Sequence, residues 1–281
     1  QYLMSHEQEE PGAHYGVDCC EDGHGQPNTY ASPIPQVHLA FLFASPLMLK
    51  TSDQKFYDVL PPISFSEEFE QIKESIEEKN IAFNYRYSVA NQKNILTALR
   101  ENPVGLHFSG HGFQNNEKLF QGDKKGWLKY KNKGDVLIFE NESGASEFFF
   151  TTELKKMFED IQSSKKGTQV TDADADKAET VKTTDLQFVY VASCHSEQVG
   201  RIFLEAGVPH VICIDQNETI LDKAAVEFSK FFYDEVFDTF KNICDAYTYA
   251  KEKVEKAYGK FQAEKIMLLK NEEVHGKVCS E

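Results

Sequence analysis

VGLHFSGHG at residues 104–112 and LQFVYVASCHSE at residues 186–197 decide the reading of this chain. Each reads as a strand that ends in a short, chemically loaded turn. The first turn is Ser109-Gly110-His111-Gly112, and the second is Ser193-Cys194-His195-Ser196. An apolar run without polar alternation fits a strand covered on both faces, as in a parallel sheet. In an open parallel sheet, ligands bind at the carboxyl ends of the strands. Two such turns at the same sheet edge can meet although they are far apart in sequence.

Outward from these two strands the same alternation repeats. VHLAFLF at 37–43 is a continuous apolar run, and IAFNYRY at 81–87 reads as a further strand. Between them SEEFEQIKESIEEK at 66–79 predicts a helix with Ser66 as N-cap, acids in the first turn, and Phe69, Ile72 and Ile76 on one face. Asn91–Glu101 predicts a second helix with Ile95, Leu96 and Leu99 inward. After Cys194, Glu197–Ala206 predicts a helix stopped by Gly207, then PHVICID at 209–215 a strand, then helices over Asp222–Phe240 and Asn242–Tyr258. Strand and helix alternating in this way predict an α/β fold: a mostly parallel central sheet of about six strands with helices on both faces. DVLIFE at 135–140, a turn at 141–144 and EFFF at 147–150 interrupt the pattern as an inserted β-hairpin. A short helix is expected at 151–161.

Three segments fall outside this pattern. Residues 1–35, rich in Gly, Pro, His and Glu, read as a flexible leader, and Gln1 in place of Met leaves room for further segments upstream. Residues 162–184 read as a mobile polar loop. Residues 259–281 read as a C-terminal tail holding at most one last helix. The domain is therefore expected to span 36–258.

Composition narrows the function. The chain has 281 residues, a formal charge of -15 and a pI near 5.1. Such an acid excess repels phosphate backbones and anionic membranes, so neither nucleic acid nor membrane is expected as a partner. There is no basic start followed by an apolar run, and the longest apolar stretch, 37–49, is broken by Ser45 and Pro46. Six cysteines in 281 residues form no dense disulfide framework, which points to a reducing compartment and a cytoplasmic location. Cys213 and Cys244 lie among apolar residues, as buried thiols do.

The chemistry sits in the two turns. A thiol at its ordinary pKa of about 8.5 is mostly protonated at neutral pH, and a neighbouring imidazole can hold or take the proton. Gly110 and Gly112 let the backbone fold tightly around His111 and let a ligand approach. The N–H groups of Gly112 and Cys194 are candidate oxyanion donors. His195 adds a second imidazole beside the thiol, so the residues alone leave the base open. His107 lies on the strand and reads as a packed or hydrogen-bonded histidine.

HFSGHG at 107–112 and ASCHSE at 192–197 resemble the His and Cys motifs of the caspase-like (clan CD) cysteine peptidases, most closely the CHAT domains related to caspases and separase. DVLIFENESGASEFFFTTEL at 135–154 resembles the hairpin and helix between those motifs. FLEAGVPHVI at 203–212, with Asp222 and the helix through Phe228, Phe232 and Tyr233, resembles the closing segment. The likeness covers roughly 36–258. It implies a caspase-like fold and a cysteine endopeptidase that cleaves peptide bonds through a Cys194 thioester with His111 as base, needing no cofactor or metal. It also implies a protein or peptide substrate. A catalytically silent domain that binds a regulatory protein partner is the alternative.

Weaker signals are set against plainer readings. Asp215, Glu218 and Asp222 follow the strand after Cys194. They would select a basic side chain if they lined the pocket with His195, and are otherwise surface acids. Arg201 follows Cys194 after six intervening residues, one too many for a phosphatase loop, and Glu197 would place a negative charge in the anion cradle. DADAD at 172–176 fails as a calcium loop because Lys177 and Thr183 occupy its Gly and Glu positions. Cys19, Cys20 and His24 lack further partners for a metal. Lys165 and Lys166 are a candidate processing point.

Overall fold

The computed structural model describes residues 38–50, 57–79, 83–115, 117–120, 124–166, 184, 186–238 and 242–271. In chain order the elements are β1 (Leu39–Ala44), β2 (Met48–Lys50), β3 (Tyr57–Val59), α1 (Phe65–Glu78), β4 (Tyr85–Val89), α2 (Gln92–Arg100), β5 (Gly105–Gly110) and β6 (Gly112–Phe113). A 3-10 turn at Glu117–Phe120 follows, then α3 (Lys124–Tyr130), β7 (Val136–Glu140), β8 (Ser146–Phe150), α4 (Thr151–Lys166) and β9 (Phe188–Ala192). The chain closes with α5 (Glu197–Glu205), β10 (His210–Ile214), α6 (Asp222–Val236), α7 (Ile243–Tyr258), α8 (Lys260–Glu264) and β11 (Ile266–Lys270).

Six strands form the central sheet in the order β11-β10-β9-β5-β1-β4. Every neighbouring pair is parallel except β10–β11. The mixed α/β fold with a mostly parallel sheet is as expected. The strands β5, β9 and β10 are buried throughout because helices cover both faces. Successive side chains therefore feed two different cores. Ala40 and Leu42 of β1 join Val189 and Val191 of β9 in one, with Ile95, Leu154 and Phe203 from α2, α4 and α5. Leu39, Phe41, Phe188 and Tyr190 join the other, under the aromatic stripe Phe228, Phe232 and Tyr233 of α6. Each fully buried aromatic or aliphatic side chain in these layers contributes about 1.5–3 kcal/mol. A third core lies under the three-stranded sheet β6-β7-β8, where Val136, Ile138 and Phe150 meet Leu49, Leu60 and Phe120.

Several sequence expectations shift. Helix α1 starts at Phe65 with Ser64 at its cap, not Ser66, and the Ser64 N–H donates to the Asp222 carboxylate at 3.2 Å. Tyr57–Val59 forms a strand, β3, paired antiparallel with β2. Helix α4 continues to Lys166, so Lys165 and Lys166 end a helix rather than occupy a loop. Helix α6 stops at Val236, short of Phe240. Residues 260–270 are not a tail: α8 and β11 close the sheet, and Ile266 is completely buried. IMLLK lacks clean alternation because β11 is an edge strand with only Ile266 fully covered. Cys244 is half-buried rather than core, since it lies on the first turn of α7. The leader, residues 167–183 of the polar loop and the Cys19/Cys20/His24 cluster lie outside the described residues.

Candidate functional site

The register brings the two turns together. Ala44 of β1 pairs with Gly110, and Ser109 pairs with Ala192. Strands β1, β5 and β9 thus end at one sheet edge, next to the point where the strand order reverses between β1 and β5. His111 leaves β5 there and Ser193-Cys194 leave β9 beside it. Gly112 is the position of closest approach. A side chain at Gly112 would collide with the backbone oxygen of Cys194 and with Ser193 Oγ. The missing Cβ is what lets the turns touch.

His111 is half-buried, and its Nε2 lies 2.9 Å from the carbonyl oxygen of Pro61, in the segment after β3. A carbonyl only accepts, so Nε2 carries the hydrogen and a neutral His111 has its lone pair on Nδ1. Burial pulls the His111 pKa below its ordinary value, against the Pro61 hydrogen bond and the Asp222 charge, which push it up. Cys194 is half-buried. Burial pushes its thiol up, while a backbone hydrogen bond with Ile220 and the Lys265 charge act the other way. Helix α5 begins just beyond, and its N-terminus also favours a thiolate. The directions of both shifts make the resting pair a neutral thiol and a neutral imidazole. Among the described residues no hydrogen bond joins His111 to Cys194.

The turn after the sulfur is held from three sides. His195 adopts φ +55°, the left-handed region that L residues seldom enter, and such conformations persist only where the surroundings enforce them. Its N–H donates to the Glu218 carbonyl at 3.3 Å and its Nδ1 lies 2.9 Å from the Gln216 carbonyl oxygen. Ser196 is fully buried; its hydroxyl donates to the Val191 carbonyl and accepts the Ile214 N–H at 2.9 Å. Gln216 also donates to the buried carboxylate of Asp135.

The three acids suggested for substrate selection all engage the protein itself. Asp215 accepts the Asn217 N–H at 2.8 Å, Glu218 lies 3.5 Å from Lys265, and Asp222 accepts the Ser64 N–H and faces His111 electrostatically. His107 is buried against Tyr233 and Glu68, at 3.1 and 3.4 Å, as a packed histidine. Gln216 and Lys265 were not singled out from the sequence, and Ser196 was noted only as the end of the Cys194 turn. Nor was Pro61 tied to the site, because nothing local links a proline carbonyl to a histidine fifty residues on. Among the described residues no group of three or more His, Cys, Asp or Glu is placed to hold a metal ion, and no helix is long and apolar enough to cross a membrane.

No protein-family model matches the chain, and no curated protein does. Similar solved structures include the pyridoxal kinase from Staphylococcus aureus in complex with AMP-PCP and pyridoxal, at 8% identity and a TM-score of 0.27, covering 79% of this chain and 88% of that one. The same kinase with pyridoxal alone gives 10% identity and a TM-score of 0.28, covering 80% of this chain and 89% of that one. These findings correct the assignment to the CHAT domains and caspase-like peptidases. The cysteine-endopeptidase activity, its hydrolase class and the silent regulatory-module alternative fall with it. The physical reason is the small basis of the resemblance. Two short turns carried it, and any parallel sheet that ends adjacent strands in Gly-His-Gly and Ser-Cys turns produces the same pairing. The overlap with the kinases is too slight to say what this chain acts on.

Proposed function

We propose that the crevice at the carboxyl ends of β1, β5 and β9 is a thiol-centred ligand site. Cys194 Sγ adds to the electrophilic carbonyl carbon of a bound small molecule, the C=O π pair moves to the oxygen, and the thiol proton passes to His111 Nδ1. The observation that carries this reading is the Pro61 carbonyl on His111 Nε2, which leaves Nδ1 as the one basic nitrogen. The Gly112 contact supports it, because it packs the two turns directly together. With both groups neutral at rest, proton transfer accompanies bond formation rather than preceding it. The N–H groups of Gly112 and Cys194 are the donors proposed for negative charge on the ligand.

Five parallel strands, an antiparallel sixth and the β7–β8 hairpin between β5 and β9 form the scaffold that carries this crevice. Free Cys194, Cys213 and Cys244 suit a reducing compartment such as the cytoplasm.

The test is brief exposure to iodoacetamide followed by peptide mass spectrometry. Cys194 should be alkylated ahead of Cys213 and Cys244. Equal or slower labelling of Cys194 would end the thiol reading.

A further inference from the structure

The C-terminal segment supplies a residue to this crevice that the proposed chemistry has not yet used. Lys265 lies between α8 and β11 and is almost entirely buried. Lysine is rarely buried unless its ammonium is paired. Here Nζ donates to the Thr219 carbonyl at 2.7 Å, lies 3.5 Å from the Glu218 carboxylate and sits 4.2 Å from the Phe261 ring centroid. The Lys265 carbonyl in turn accepts the Asp215 N–H at 2.9 Å. Lys265 therefore grips the 215–219 loop at both ends. That loop holds His195 through the Glu218 and Gln216 carbonyls, and His195 directly follows Cys194.

Stability alone does not account for such a residue, since taking an ammonium out of water carries a desolvation cost that its partners only offset. We propose that Lys265 is a positioning residue for Cys194: it clamps the loop that fixes the His195 turn and places a positive charge within reach of the reacting sulfur. This rests on the thiol reading above. Charged and titratable groups on the elements around Cys194 include His111 on the β5–β6 turn, His195 on its own turn, Glu197 at the start of α5 with Arg201 paired to it, Asp215 and Glu218 on the loop, Asp222 at the start of α6, and Lys265. Among these, it is the Lys265 charge that acts on the thiol. Its charge favours the thiolate against burial, consistent with its influence on the thiol.

The experiment is the pH profile of Cys194 alkylation by iodoacetamide, from neutral to pH ~10.5, in the full chain and in the Lys265→Met and Glu218→Gln variants. Without the ammonium, the alkaline inflection of Cys194 should rise by about one pH unit. Glu218→Gln, which leaves the ammonium unneutralised, should move it the opposite way. A purely structural role cannot give shifts of opposite sign. Profiles that superimpose on the parent, or shift in one direction for both variants, would overturn the role of Lys265 while leaving the thiol site standing. Should Lys265→Met fail to fold, Glu218→Gln decides alone: an inflection at or above the parent's overturns the inference. A parent protein in which Cys194 is not alkylated ahead of Cys213 and Cys244 would remove the thiol reading and this inference with it.

Discussion

His111 Nε2 and the Pro61 carbonyl oxygen are 2.9 Å apart, and this one contact fixes which nitrogen of the imidazole is basic. The tautomer is directly observable. In 15N NMR at neutral pH, His111 Nε2 should report a protonated, pyrrole-type nitrogen and Nδ1 a pyridine-type one. The reverse assignment would leave the proposed base without a lone pair.

Gly112→Ala tests whether the two turns must touch. The added methyl would meet the Cys194 carbonyl oxygen and Ser193 Oγ, both on a turn pinned by Ser196. Overpacking of this kind costs about 1–3 kcal/mol. Chemical denaturation should show that loss, and Cys194 alkylation should become insensitive to His111.

The sheet and its helices were legible because buried parallel strands are written as apolar runs; Leu39–Ala44 and Phe188–Ala192 carry that mark unbroken, and Gly105–Gly110 carries it around His107 and Ser109. The His111 and Cys194 turns were legible for the same reason, since each follows such a run. What was not legible depends on partners distant in sequence. Pro61 reaches His111 through a backbone atom that any residue possesses. Lys265 carries no local signal of burial, because its cover comes from β11 joining β10, and nothing in IMLLK alone distinguishes an edge strand from a helix turn. The peptidase reading overreached because short motifs specify which groups meet, not what they act on.

Glu68 gives the fold a pH dependence that can be signed. It is buried beside His107, and Ser229 donates a hydrogen bond to it. Burial pushes its pKa up, but His107, Ser229 and Ser109 together hold it below the usual carboxylate value. A depressed folded pKa contributes stability above the unfolded value of about 4.3, lost as pH falls through the folded value. Glu68→Ala should therefore cost about 3 kcal/mol above pH ~5. In thermal denaturation scans at several pH values, the gap to the parent should narrow steadily towards acid.

Ile266→Ala tests the place of β11 in the core. Ile266 is fully buried among Ile212, Ile214 and Val254. The truncation should cost about 2–5 kcal/mol in equilibrium unfolding. A change under about 0.5 kcal/mol, as expected of a surface position, would place the strand outside the cooperative unit.

The most direct test of the thiol site compares the rate of Cys194 alkylation by iodoacetamide in the parent protein and in His111→Ala, across pH. Because the His111 pKa lies below its ordinary value, its basic form persists to lower pH. In the parent the rate should hold on the acid side until below about pH 6.5, the ordinary histidine value. Removing the base should slow Cys194 by about a hundredfold and abolish that acid limb, with Cys244 unchanged. Equal Cys194 rates in the two proteins at every pH would contradict the account, because the imidazole would then take no part in the chemistry of the sulfur.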